Sequence, residues 1–220
     1  MQRRLLVLRA ERGDAQVGIK LAFTNRAMME RLGIPEPALG GLTAEMQIAD
    51  GERIDPSRFI RPRLECELIV RLRAPLPAGA SRGEAFAAID AIAPAIEIID
   101  SRFDARPFQL TEIVADNASA AGFVAGTWQS PTTDLDGRAV RLTIDGAVVA
   151  EGTTTAILGH PLDALRAAAD LAARRGEPLR AGDLVLLGSA TEPFAPPAEC
   201  TVAVSVDGFG SVGFALSATP

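Results

Sequence analysis

Two glutamates, Glu65 and Glu67, stand one residue apart inside the apolar run "RLECELIVRL". The run reads as a strand, in which alternate side chains share a face. Glu65 and Glu67 therefore point one way, and Leu64, Cys66 and Leu68 the other. Like charges on one face repel, and their burial is costly without compensation. A solvated edge-strand face, a catalytic carboxylate pair and part of a metal site all remain open readings. Further along, "AIEIID" embeds Glu97 between Ala95, Ile96, Ile98 and Ile99. A carboxylate in such a run needs a partner. Three glutamates would suit a hard divalent ion such as Mg²⁺ or Mn²⁺. Ion pairs with nearby arginines are the alternative.

Lys20, in "VGIKLAF", is the sole lysine among 22 basic residues. Lysine exchanges a proton when its surroundings allow it, whereas arginine stays charged. Lys20 is thus a candidate acid or base, although a lysine snorkelling out of an apolar run would read the same way. His160, the only histidine, precedes a proline and a helix, which favours a capping role. No nucleophile-elbow motif accompanies it. Gly208, Gly210 and Gly213 fit G-x-G-x-x-G, but no helix can follow them, so a glycine-rich hairpin is the better reading.

The elements that would position these groups follow from periodicity. "AMMERLG" predicts a short helix stopped by Gly33, and "AEMQIADGERI" two short strands around Asp50-Gly51. "SRGEAFAAIDAIAPAIEIID" opens as a helix, with Ser81 and Glu84 spaced as a capping box and Pro94 as its stop. "AIEII" is then a buried strand. "RAVRLTIDGAVVAEGTT" and "CTVAVSVDGFGSVGFAL" predict hairpins at Asp145-Gly146 and Asp207-Gly208. "HPLDALRAAADLAARRG" predicts an amphipathic helix ending near Gly176. Strands outnumber helices without steady alternation, which argues for an α+β, mostly-β fold.

A chain of 220 residues with 48% hydrophobic content supports one core. Its net charge of −6 disfavours nucleic acid as a partner. No apolar stretch is long enough for a membrane helix, and the apolar part of "MQRRLLVLRAERGD" is too short for a signal peptide. The two cysteines, Cys66 and Cys200, make no disulfide framework. The expected setting is the cytoplasm.

Several blocks, in order, resemble the 2-keto-4-pentenoate hydratase and 4-oxalocrotonate decarboxylase family of the fumarylacetoacetate hydrolase superfamily. They are "GIKLAFTNRAMMERLG", "RPRLECELIV", "PAIEIIDSR", "VADNASAAGFV", "ILGHPLDAL", "AGDLVLLGSAT" and "GFGSV". The resemblance runs from about residue 17 almost to the C-terminus. It implies a mixed β-roll with a few flanking helices, and a homo-oligomer. Residues 17–220 would form a single catalytic domain, and residues 1–16 a remnant of the family's N-terminal helical arm. It further implies Mg²⁺ or Mn²⁺ held by Glu65, Glu67 and Glu97, with Lys20 in proton transfer. Ser119, Gly188, Ser189 and Thr191 match the family's substrate-binding motifs. The implied substrate is a small 2-oxo acid whose enolate the metal stabilises.

The implied activity is hydration of 2-hydroxypenta-2,4-dienoate-type acids in aromatic meta-cleavage degradation. A 4-oxalocrotonate-type decarboxylase and a catalytically silent 2-oxo acid binding protein are the alternatives. One departure bears on this choice. Hydratases often carry an aspartate in "P-D-F-G", thought to handle the water, where this chain has Ala38 in "PALG". Glu45 is the nearby carboxylate that could replace it.

Overall fold

A computed structural model describes residues 1–103, 109–132 and 134–218. The elements run α1 (Gln2–Glu11), β1 (Gln16–Ala22), α2 (Arg26–Leu32), β2 (Ala38–Thr43), β3 (Gln47–Ile48), β4 (Arg53–Ile54), β5 (Arg63–Leu72), α3 (Arg82–Ala87) and β6 (Ile89–Ile99). They continue as α4 (Leu110–Ala115), β7 (Ala120–Ala125), β8 (Ala139–Ile144), β9 (Ala147–Thr153), α5 (Pro161–Arg174), β10 (Leu184–Leu186), β11 (Cys200–Val206) and β12 (Gly210–Leu216). One mixed sheet has the order β2-β1-β10-β5-β6-β7-β3, and a second the order β4-β12-β11-β8-β9. β11 and β12 pack over β6. The fold is the mostly-β α+β architecture that the alternating runs predict.

β5 and β6 form the spine. They pair antiparallel from Arg63↔Ile99 to Leu72↔Ile89. Nearly every residue of β6 is buried, because the sheet is covered on both faces. That double burial explains why its sequence does not alternate. Cys66 lies fully buried with Leu64 and Leu68 in the main core, facing away from the glutamates. Helix α5 presents Leu162, Leu165, Ala168, Ala169 and Ala172 inward at helical spacing. His160 caps it, its Nδ1 accepting from the Leu162 N–H at 3.0 Å. Asn25 caps α2, and Gly33 closes it in the left-handed conformation. Both predicted hairpins form, β8–β9 and β11–β12.

One expectation needed correction. The helix predicted to run on to Pro94 stops at Ala87, although the Ser81–Glu84 capping box forms. Ala85, Ile89, Ile92 and Ile96 keep a helical spacing, but the last three lie in strand β6. Pro94 sits mid-strand without costing a ladder bond. Its carbonyl accepts from Gly126 N–H just past the end of β7, so its missing donor faces a side where the neighbouring strand has ended. The short strands around Asp50-Gly51 also form, but they part. β3 joins β7 of the first sheet, while β4 joins β12 of the second. Residues 2–11, within the stretch read as a remnant, fold as helix α1. α1 is tied down where Gln2 Nε2 donates to the Leu39 carbonyl at 2.6 Å.

Candidate active site

Register decides the site. Glu65 on β5 pairs directly with Glu97 on β6. Like charges opposite one another across a strand pair are destabilising. Glu67, two residues along the same face of β5, adds a third carboxylate. One carboxylate oxygen from each of the three lies within 4.8 Å of the others. Glu67 and Glu97 are essentially closed to solvent, at 1% and 0% exposure, while Glu65 is half-buried.

Lys20 reaches this cluster from β1. Its Nζ lies 3.0 Å from Glu97 Oε1, and only 1% of the residue is exposed. Strand β10 separates β1 from β5, but it is only three residues long. Beyond Leu186 the chain turns across the gap, and Gly188 N–H donates to Glu67 Oε2 at 2.7 Å. Gly188 has φ of 104°, and a Cβ there would come within 2.2 Å of Thr24 Oγ1. Only glycine fits both the backbone angle and the approach.

The electrostatics are those of an incomplete charge set. Burial pushes the Glu67 carboxyl well above the usual range, with Glu97 and Glu65 adding to the effect. Burial likewise raises Glu97, to about 7, against the opposing pull of Lys20. Burial works to lower the Lys20 ammonium, but Glu97, Glu65 and Glu67 outweigh it and hold it above the lysine range. Lys20 is therefore an acid at neutral pH. If all three carboxylates were ionised beside one ammonium, two net negative charges would remain in a largely buried site. Glu67 Oε1 and Glu97 Oε2 are buried with no hydrogen-bond partner among the described residues. Gathered carboxylates that keep unpaired buried oxygens suit an oxygen-ligated divalent cation.

Beside the cluster opens a cavity of about 840 Å³, lined by Lys20 and Glu65 together with Ser119, Ser189 and Thr191. Ser189 is set in a turn, its hydroxyl donating to the Thr191 carbonyl at 2.8 Å. Thr191 neighbours the Cys66 thiol, which burial pushes up to about 12 and so keeps unreactive. Ser119 follows Asn117 and Ala118 in three consecutive left-handed residues, with φ between 51° and 59°. Asn117 makes that turn possible. Its side-chain amide pairs with both backbone groups of Gly41, at 2.7 Å and 2.8 Å, as a neighbouring strand would. The Asn117 backbone carbonyl oxygen would be 2.6 Å from a Cβ at Gly40, which pairs with Lys20. Asn117→Ala is expected to cost about 1–3 kcal/mol, because both Gly41 groups are left buried and unpaired. A denaturant midpoint unchanged from wild type would refute this support for the site.

Glu45 does not join the cluster. It is exposed on the turn after β2, beyond the strand end remote from Ala38, and its side chain is not part of the cavity wall. Its backbone N–H donates to Asp14 instead. Ala38 is buried and pairs with Ala22, which lines the cavity. Sequence reasoning missed Asn117 and Asp100. Asp100 holds the loop above the site by accepting from Ile60 and Arg61 N–H at 2.7 Å and 2.8 Å. Both residues lie inside blocks that carry the resemblance, so their positions were visible but their roles were not. It also missed the arginines Arg61 and Arg63 on the cavity wall, which carry no local signature.

Comparison with known proteins gives this geometry a family. The fumarylacetoacetate hydrolase C-terminal family matches residues 17–216. The chain is 43% identical over 217 residues to a 4-oxalocrotonate decarboxylase of a Pseudomonas species, covering 99% of this chain and 85% of the relative. It is 38% identical over 208 residues to a 2-keto-4-pentenoate hydratase of Burkholderia vietnamiensis G4, covering 93% of this chain and 79% of the relative. The structure superposes with TM-score 0.92 on the 4-oxalocrotonate decarboxylase of Pseudomonas putida G7, complexed with magnesium and adipate. That match has 34% identity and covers 97% of this chain and 82% of the other. The chain belongs to the fumarylacetoacetate hydrolase family.

Proposed function

We propose that the chain is a divalent-metal-dependent lyase of small 2-oxo acids, carried by a single catalytic domain over residues 17–220. The observation that carries this is the cluster of Glu65, Glu67 and Glu97 with unpaired buried oxygens facing Lys20. These glutamates would hold Mg²⁺ or Mn²⁺, which supplies Lewis-acid polarisation of the 2-oxo group when bound. Gly188 N–H fixes the orientation of Glu67. Lys20 Nζ, 3.0 Å from Glu97 Oε1 and on the cavity wall, is placed to pass a proton to negative charge developing on the substrate. Ser119, Ser189 and Thr191 bind and orient the acid from the cavity wall. Asp100 keeps the overlying loop in place.

Within this class the geometry favours a carboxy-lyase. Adding water across a double bond needs a group that orients that water. Ala38 cannot do so, and Glu45 is remote from the cavity. In a 4-oxalocrotonate-type acid, the far carboxylate is carried on a saturated carbon next to the double bond, and that double bond is conjugated with the 2-oxo group. As the carbon–carboxylate bond breaks, its electron pair moves toward the 2-oxo oxygen. That oxygen takes a proton and CO₂ leaves. A hydratase acting on 2-hydroxypenta-2,4-dienoate in aromatic meta-cleavage degradation is the second reading, favoured by the similarity to relatives with hydratase names.

The enzyme is read as cytoplasmic, and no helix among the described residues is long and apolar enough to cross a membrane. It is also read as a homo-oligomer. The edge strand β9, which exposes Val148 and Val149, is a surface suited to self-association.

The test is incubation with 4-oxalocrotonate and with 2-hydroxypenta-2,4-dienoate, each with Mg²⁺ and with EDTA. Loss of ultraviolet absorbance and trapped CO₂ are followed together. Mg²⁺-dependent CO₂ release from the first acid is expected. Consumption of the dienoate alone would establish the hydratase reading, and turnover undiminished by EDTA would overturn the metal site.

A further inference from the structure

The arginines on the cavity wall are not used by the site described so far. Most arginines among the described residues are paired, for example Arg9 with Asp14, Arg71 with Asp90, Arg82 with Asp163 and Arg102 with Asp116. Arg63 is different. It lines the cavity, it is exposed, and its side chain has no ion-pair or hydrogen-bond partner among the described residues. Arg61, next to it on the wall, is already committed, its guanidinium donating to the Phe103 carbonyl.

The position of Arg63 on β5 gives it meaning. Arg63, Glu65 and Glu67 occupy alternate positions and share one face of the strand. Solvent access falls along that face, from exposed Arg63 through half-buried Glu65 to closed Glu67. The strand thus runs from a free cation at the mouth to the carboxylate cluster at the floor. Two strand residues span about 6.6 Å. That is roughly the extended length of a six-carbon diacid between its two carboxylates. Arginine is the side chain best suited to grip a carboxylate, through two parallel N–H donors.

We propose that Arg63 is a specificity-determining residue that receives the far carboxylate of a 2-oxo diacid whose 2-oxo end sits at the glutamate cluster. This rests on the reading of the site as a 2-oxo acid lyase, and it narrows the substrate class to diacids. Glu192 shares the cavity rim as an exposed carboxylate and opposes the same charge. Because the far carboxylate leaves as neutral CO₂, its contact with Arg63 weakens on the way to the transition state. Arg63 therefore acts mainly on substrate capture, and its loss raises KM without lowering kcat.

Two unreactive acids of equal carbon count, 2-oxoadipate and 2-oxohexanoate, isolate the far carboxylate. Binding is measured by calorimetry on the full chain with Mg²⁺, for wild type, Arg63→Gln, Arg63→Lys and Glu192→Gln. The wild type is expected to prefer the diacid by about tenfold, a modest factor because Arg63 is exposed and screened. Arg63→Gln should erase the preference by weakening only diacid binding, Arg63→Lys should restore part of it, and Glu192→Gln should enlarge it. Salt should weaken the diacid more than the monoacid. Equal affinity of the wild type for both acids would overturn the Arg63 assignment alone. So would an equal loss for both acids in Arg63→Gln. Absence of Mg²⁺-dependent binding of either acid would overturn the lyase reading, and this assignment with it.

Discussion

Lys20→Met lowers turnover by about 10³-fold or more while leaving metal binding intact; this follows from where the lysine sits. A positioned acid or base contributes roughly 10²–10⁴-fold to a proton-transfer step. Among the described residues, Lys20 is the cationic group that reaches the carboxylate cluster, its Nζ 3.0 Å from Glu97 Oε1. No second lysine exists in the chain to replace it. Methionine keeps the length and the apolar stem, so the packing between Gly40 and Leu186 survives. The substitution removes one positive charge from a site rich in negative charge, so a divalent cation is held at least as tightly. Removing one partner of a buried ion pair usually costs 3–5 kcal/mol. Here protonation of Glu97 relieves that cost in the metal-free protein, and the cation relieves it in the loaded one. Steady-state kinetics paired with a calorimetric Mg²⁺ titration separates the two effects. A variant within tenfold of wild-type kcat would remove Lys20 from the chemistry. A variant that no longer binds Mg²⁺ would make the lysine a structural support of the ligands instead.

The parts of this site that were legible in the sequence are those written in local chemistry. Glu65 and Glu67 announce a shared face because strand side chains alternate, and Glu97 announces burial because its neighbours are all apolar. Lys20 stands out by composition alone. What no local rule supplies is register. That Glu97 falls opposite Glu65, and not one residue off, depends on how β5 and β6 align over their whole length. A slip of one residue would send Glu97 to the opposite face. The same gap explains Glu45, which is near Ala38 in sequence but lies past the wrong end of β2. It explains Pro94 as well, since a mid-strand proline is tolerated only because β7 ends beside it. The helix α5 and its His160 cap needed no tertiary information, and both are where periodicity and capping chemistry put them.

Mg²⁺ is expected to stabilise the protein far more at pH 8 than at pH 5, and the reason lies in the two closed glutamates. Both Glu67 and Glu97 have carboxyl groups raised above their unfolded values, so the folded state favours their protonated forms. That contribution is fully present below pH 4.5, the ordinary value, and is lost as pH rises through the folded value of about 7 for Glu97. In the metal-free protein stability therefore falls across this window, by up to about 3 kcal/mol for Glu97 alone. Lys20, raised above the lysine range, is charged in both states throughout and adds no slope here. A bound cation requires the ionised carboxylates, so it displaces the protons and cancels the loss. At pH 5 it must compete with those protons, and it gains little. For a chain of this size the metal-free protein should melt roughly 5–10 °C lower at pH 8 than at pH 5 from this cause. The gap between Mg²⁺ and EDTA melting curves should open over the same range. Glu97→Gln should flatten the metal-free slope and shrink the gap. A gap independent of pH would mean that the cation does not bind at Glu67 and Glu97. A metal-free protein more stable at pH 8 than at pH 5 would mean that these carboxylates are ionised and compensated by something other than a metal.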